Sequence, residues 1–284
     1  MGSTATWKSL PKIDAHVHVV LHQREGTDLR FNPPDAMLRE MDVQRVERAV
    51  VLPINYPGYF PLCGEEREDW LRASNNRQAE IAASSEGRLI PFADCAIDGP
   101  YGHPSRGVAE LRRAIEELGL AGLKIHASNL KVSADEPRLA PWIDAAARLG
   151  VPIVFHSNPS AYDPVFYGSS PARICQAAFG HEVTYVVAHM GGLAYHETLT
   201  GTGYVDLSAT LPTVAGLLGS RGAEALLRSI GIDRLLFATD YPIFSYETYY
   251  EILDAMNFTA DEVERIAWKN AERMLSGLPP AGSD

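Results

Sequence analysis

The chain has 284 residues, 46% hydrophobic and 21% charged, an ordinary globular composition long enough for a barrel-sized core. Its formal net charge of −11, with no basic run to offset it, argues against a nucleic-acid or anionic-membrane partner. Cys63, Cys95 and Cys175 have no paired spacing, and neither a signal peptide nor a membrane-length apolar run is present, so the expectation is a reduced, cytoplasmic protein.

After a short polar start, "MGSTATW", the first strand candidate is "KIDAHVHVV" from Lys12, which carries His16 and His18 two residues apart. Side chains two apart on a strand share a face, so both imidazoles are aimed at one place. Further strand-like runs follow: "RAVVLPI" from Arg48, "LIPFADCAI" from Leu89, "AGLKIHAS" from Ala121 and "VPIVFHS" from Val151. The last three are "VTYVVAHMG" from Val183, "GYVDLSA" from Gly203 and "RLLFATD" from Arg234. Between them lie helix-like stretches such as "GVAELRRAIEELG", "RLAPWIDAAARLG", "SPARICQAAFG" and "GAEALLRSIG", ending in Gly as helix C-caps often do.

Strands alternating with helices imply a parallel sheet, and eight such units in roughly 250 residues have the size of a (β/α)8 TIM barrel. Residues 1–284 are therefore read as a single α/β barrel domain. The weakest unit follows strand six, where "LAYHETLTGTG" is too short for a helix; an extra C-terminal helix, "TADEVERIAWKNAERMLSG", starts at a Thr259 N-cap and closes one side of the barrel. A doubly wound open sheet would carry a Gly-rich phosphate turn after strand one, and "VLHQREGTDLRFNPPD" has none.

Five of the nine histidines, His16, His18, His126, His156 and His189, lie near the C-terminal ends of predicted strands, and Asp240 ends the eighth. In a barrel those ends form one face. A lone histidine there is as well explained by core hydrogen bonding, but burying His16, His18, His156 and Asp240 together without a partner is costly. A divalent cation removes the cost, because it takes neutral imidazole and carboxylate as ligands; zinc suits the set best, with manganese, cobalt and iron as alternatives. The metal lowers the pKa of bound water towards about 7. Asp240 is placed to take the water's proton and pass it to a leaving group, and His189 to polarise the substrate's reacting oxygen.

The set "DAHVH", "GLKIH", "FHS", "AHMGG" and "FATDYP", in this order, resembles the amidohydrolase superfamily of metal-dependent barrels. The branch most alike includes aminocarboxymuconate-semialdehyde decarboxylase and many amidohydrolase-related hydrolases. The resemblance implies that His16, His18 and His156 are metal ligands, that Asp240 is a ligand doubling as proton shuttle, and that His189 is catalytic. It also leaves Lys124 with two readings. In one it is carboxylated and bridges a second metal held by His156 and His189; in the other it is an unmodified charged contact beside a single metal, which the branch favours.

Substrate choice falls to the loops above the barrel. Tyr56, Tyr59 and Phe60 follow strand two, Asn158, Tyr162, Phe166 and Tyr167 follow strand five, and Tyr241 follows strand eight. Together with His126 they suggest a pocket for a small, planar or partly apolar molecule, although Tyr and Pro also serve simply to stiffen loops. Arg24, Arg30 and Arg173 are candidate partners for a substrate carboxylate, and Cys63 has no base beside it. The expected activity is hydrolysis of an amide, lactone or ester by metal-bound hydroxide, because no arginine pair is evident for gripping a second carboxylate. The alternatives are non-oxidative decarboxylation of a small unsaturated or aromatic acid and a non-catalytic metal- or ligand-binding barrel. Assembly into a homo-oligomer is compatible with this composition.

Overall fold

The structure, a computed structural model of the chain, describes residues 6–21, 30–54, 69–157 and 168–281. Eight parallel strands run in sequence order: β1 (Lys12–Val17), β2 (Val46–Val51), β3 (Leu89–Pro91), β4 (Leu123–Ile125), β5 (Ile153–Phe155), β6 (Tyr185–Val187), β7 (Tyr204–Asp206) and β8 (Leu235–Leu236). They form one sheet of β1 to β3 and another of β4 to β8. Two seams join the sheets into a ring. At one, Ala93 N donates to Gly122 O and Lys124 N to Ala93 O, both at 2.7 Å. At the other, Ala15 N donates to Phe237 O, Asp240 N to His16 O and His18 N to Tyr241 O, at 2.8–2.9 Å. The result is a (β/α)8 barrel, as expected from the strand count. The strands are two to six residues long, shorter than the apolar runs that announced them, because pairing stops where the chain turns outward to its helices.

Helices α1 (Pro34–Gln44), α2 (Trp70–Ala83), α3 (Pro104–Glu116), α4 (Ala140–Leu149), α5 (Pro171–Ala178), α6 (Thr210–Ile230) and α7 (Tyr246–Asp254) follow strands one, two, three, four, five, seven and eight. After β6 there are 3-10 turns over Ala188–Thr200 in place of an α-helix. His189 and Met190 both have positive φ there, which an α-helix forbids. The last segment is not one regular helix: α8 (Ala260–Glu264), closed by a capping box between Thr259 and Glu262, runs through a π turn, Arg265–Lys269, into α9 (Asn270–Leu275).

Side chains alternate between the barrel interior and the helix layer. Val50, Phe92, Val154, Val186, Tyr204 and Leu236 fill the interior, while Ala49, Leu123, Phe155, Val187 and Val205 pack outward. Gly122 is required opposite Phe92, since a Cβ there would lie 2.3 Å from its ring. Ala271 and Met274 of α9 join the interior cluster, and the following turn is held from the strand N-terminal side, with Thr184 Oγ1 donating to Gly277 O at 2.6 Å. The C-terminal segment thus stoppers the mouth of the barrel opposite the histidines. Among the described residues no helix is long and apolar enough to cross a membrane.

Candidate metal centre

Strand β1 does not alternate evenly. Ile13 and Ala15 belong to the interior cluster and Val17 to the outer one. Between Asp14 and Val17 the strand spends three steps against two on β2, from Ala49 to Val51. This bulge reverses the parity, so that His16 and His18 point inward above an apolar layer formed by residues of the opposite parity. The Asp14 carboxylate holds the bulge. It accepts from His16 N (3.0 Å) and Thr239 N (3.2 Å) through Oδ1, and from Thr239 Oγ1 (2.6 Å) through Oδ2. One buried carboxylate therefore ties the strand that carries His16 to the turn that carries Asp240, a residue held at φ +63°.

His16, His18 and Asp240 come together, their candidate ligand atoms all within 4.8 Å of one another. Proton positions follow from the outer partners. His18 Nδ1 lies 2.9 Å from Leu52 O, which only accepts, so Nδ1 carries the proton and Nε2 the lone pair. His16 Nδ1 lies 2.9 Å from Asp206 Oδ2, and the same reasoning leaves its lone pair on Nε2. These two nitrogens face Asp240 Oδ1 at 3.0 and 3.6 Å, and Oδ1 has no hydrogen-bond partner among the described residues. Three lone pairs converge with no proton between them. That is costly for the protein alone and suits a cation with imidazole and carboxylate ligands.

The charge states agree. Burial, helped by the Lys124 charge, lowers His16 to about 3, and burial likewise holds His126, His156 and His189 below the ordinary imidazole value. All four are neutral at pH 7. Burial works against ionised Asp240, yet the neighbouring imidazoles, which take up a proton before it does, hold its carboxyl well below the ordinary carboxylate range. The Asp206 carboxyl, also opposed by burial, is held at about 2, first by His16.

His156 stands outside this tight group. Its Nδ1 is 3.1 Å from His189 Nε2, and its ring stacks on His126 with centroids 3.6 Å apart. Lys124 faces inward between the outward Leu123 and Ile125, as its parity predicts; its buried Nζ has no hydrogen-bond partner among the described residues, and burial lowers its pKa to about 8. A second three-residue grouping, His16, His189 and Asp206, shares His16 with the first. Its Asp206 oxygens already accept from His16 Nδ1, His189 N, Ser208 N and Ser208 Oγ, so this carboxylate is taken up in orienting those groups. Among the described residues His156 belongs to neither grouping, while His189 belongs to the second.

The Tyr241 ring lies against Tyr246 of α7, with centroids 5.3 Å apart, on the helix side. Arg173 is engaged by Asp135 at 3.1 Å. Tyr56, Tyr59, Phe60, Cys63, Asn158, Tyr162, Phe166, Tyr167 and Arg24 lie outside the described residues. Asp206, Ser208, Asp14 and Thr239 were not singled out from sequence. The available signal was Asp206, an acid ending a strand in the same rank as the histidines, with the inward parity of Tyr204.

The amidohydrolase profile matches residues 13–277. The chain belongs to the amidohydrolase family. Its curated relatives include γ-resorcylate decarboxylase of Rhodococcus jostii, 24% identical over 290 residues that cover 85% of this chain and 87% of the relative. Among solved structures it is similar to 2,6-dihydroxybenzoate decarboxylase from Rhizobium, with a TM-score of 0.71 at 18% identity, covering 93% of this chain and 98% of the other. It is also similar to a dihydroxybenzoic acid decarboxylase from Polaromonas with bound manganese and the inhibitor 2-nitroresorcinol, with a TM-score of 0.66 at 18% identity, covering 93% and 96%.

These relatives overturn the expectation of hydrolysis. That expectation rested on the lack of an arginine pair for a second carboxylate, whereas the dihydroxybenzoates named in these relatives carry one carboxylate, the group that leaves. The likeness to enzymes of this family also sets aside the non-catalytic barrel.

Proposed function

We propose that this amidohydrolase-family barrel is a divalent-metal-dependent, non-oxidative decarboxylase of a small hydroxylated aromatic carboxylic acid. The observation that carries the reading is the convergence of His16 Nε2, His18 Nε2 and Asp240 Oδ1 without a proton among them, at the C-terminal mouth of the barrel. The γ-resorcylate and dihydroxybenzoate decarboxylases support the reaction class, and the manganese in the Polaromonas structure makes that ion the first to test, with zinc as the comparison.

His16, His18 and Asp240 would hold the cation, with His156, which follows β5 across the barrel, as a further imidazole. A cation held there would supply positive charge to stabilise the negative oxygens of the substrate and make its hydroxyl more acidic. Asp240, ionised at rest, takes the hydroxyl proton. The electron-rich ring carbon that bears the carboxylate then receives this proton from Asp240, forming a C–H bond. The C–C bond to the carboxylate breaks, its electron pair returns to the ring and its oxygen, and carbon dioxide leaves neutral. Asp240 is again a carboxylate, and the phenolate product gains its proton from water. Lys124 places a cationic ammonium beside the departing group, and His189 and His126 line the same face.

The test is to incubate the manganese-loaded protein with 2,6-dihydroxybenzoate and follow carbon dioxide and resorcinol. In heavy water one deuterium is expected at the vacated ring position. Asp240→Asn should lower kcat by about 10²–10⁴. No carbon dioxide from a panel of hydroxybenzoates, with manganese bound, would overturn the proposal.

A further inference from the structure

Asp206 Oδ1 accepts the backbone N–H of His189 (2.9 Å) and of Ser208 (3.0 Å), and Oδ2 accepts from His16 Nδ1 (2.9 Å), so this buried carboxylate acts only as an acceptor. The Ser208 hydroxyl must then direct its single proton at Asp206 Oδ1, with which it makes a short hydrogen bond. Towards His189 Nδ1, 2.8 Å away, Ser208 Oγ is left as an acceptor. The longer 3.4 Å approach of His16 Nδ1 to Ser208 does not compete, because that nitrogen already aims its proton at Asp206. His189 thus carries its proton on Nδ1 and presents a lone pair on Nε2. His156 Nδ1, 3.1 Å from that lone pair, is protonated in turn, which places the His156 lone pair on Nε2.

We propose that Ser208 is a positioning residue: Asp206, which fixes the His16 tautomer directly, also fixes those of His189 and His156 through the Ser208 hydroxyl. Each hydrogen bond leaves the next ring one arrangement, so a carboxylate on β7 sets which nitrogen of an imidazole two strands away offers a lone pair. The proposal rests on the reading of the histidine and aspartate cluster as a metal centre only in its consequence, which is that His156 is prepared as a ligand.

The experiment is nitrogen NMR of the metal-free full chain with labelled histidine. His16, His18, His189 and His156 are all expected as Nδ1–H tautomers, and an Nε2–H form at His189 or His156 in the parent protein overturns the proposal without any variant. In Ser208→Ala, His16 and His18 should keep their tautomers while His189 and His156 lose theirs. Affinity for manganese alone, by competition with a chelator, should weaken at least roughly tenfold. Ser208→Thr, which keeps the hydroxyl, should restore both readouts. Ser208→Ala with unchanged ring-nitrogen shifts and manganese affinity within twofold of the parent refutes it. A parent protein with the expected tautomers but no manganese binding would sink the metal centre and leave the relay standing.

Discussion

Asp14 shows how much of the site is held by side chains that touch no substrate. Asparagine in its place keeps the shape but turns an NH2 donor towards a group that donated to the carboxylate. Asp14→Asn is expected to lower unfolding free energy by about 1–3 kcal/mol in urea titration, and Thr239→Val by less, since it removes one donor. Equal or greater stability in Asp14→Asn would exclude the clasp. Asp94, inward-facing beyond β3, gives a pH test. Burial raises its carboxyl from 3.8 to about 7, against hydrogen bonds from Cys95 N and Ser74 and the Lys124 charge. Between those values the unfolded chain has released a proton that the folded chain still binds, so this group's contribution to stability falls as pH rises. The stability of Asp94→Asn relative to the parent should climb from pH 4 to 7 and level off above, by urea midpoints at three pH values; a flat or falling difference counts against it. The residues legible in sequence, His16, His18, Lys124, His156, His189 and Asp240, share a local mark, a polar side chain ending an apolar run. Asp14 and Asp206 act across 225 and 190 residues of sequence, and no local pattern reports a partner that distant.

At the scale of elements, alternation located the strands, and it also accounts for the inward Lys124 between the outward Leu123 and Ile125. In β1 the same rule is incomplete. His16 and His18 do share a face, but it is the face of Ile13 and Ala15 only because an extra residue intervenes, and "KIDAHVHVV" carries no glycine to mark the bulge. The C-terminal helix was visible from its cap and period, yet its π turn and its role as a stopper depend on the barrel it meets. Met274→Ala removes a fully buried side chain from that junction and should cost about 2–5 kcal/mol, with the m-value unchanged. Because α9 sits at the far end from the histidines, kcat should stay at the parent value. A large fall in kcat at preserved stability would mean that the two ends are coupled.

For the whole molecule, the order of motifs was enough to place the chain in its family, while the reaction was not readable, since one barrel and one ligand set serve both hydrolysis and decarboxylation. Binding of an ion to the folded chain alone adds about 2.7 kcal/mol at a hundred times its Kd. Manganese should therefore raise the melting temperature in a concentration-dependent way, chelation should reverse it, and Asp240→Asn should shift the effect to higher manganese concentration. The geography of this linkage is specific. His16 and His18 lie on one side of the join between first and last strands, and Asp240 lies on the other. An ion drawn between them would work as a rivet between two staves of a cask. Stripping it should let the cask part along that single line, so deuterium uptake would quicken at Ala15, His18 and Asp240 while the staves at β5 and β6 stay shut.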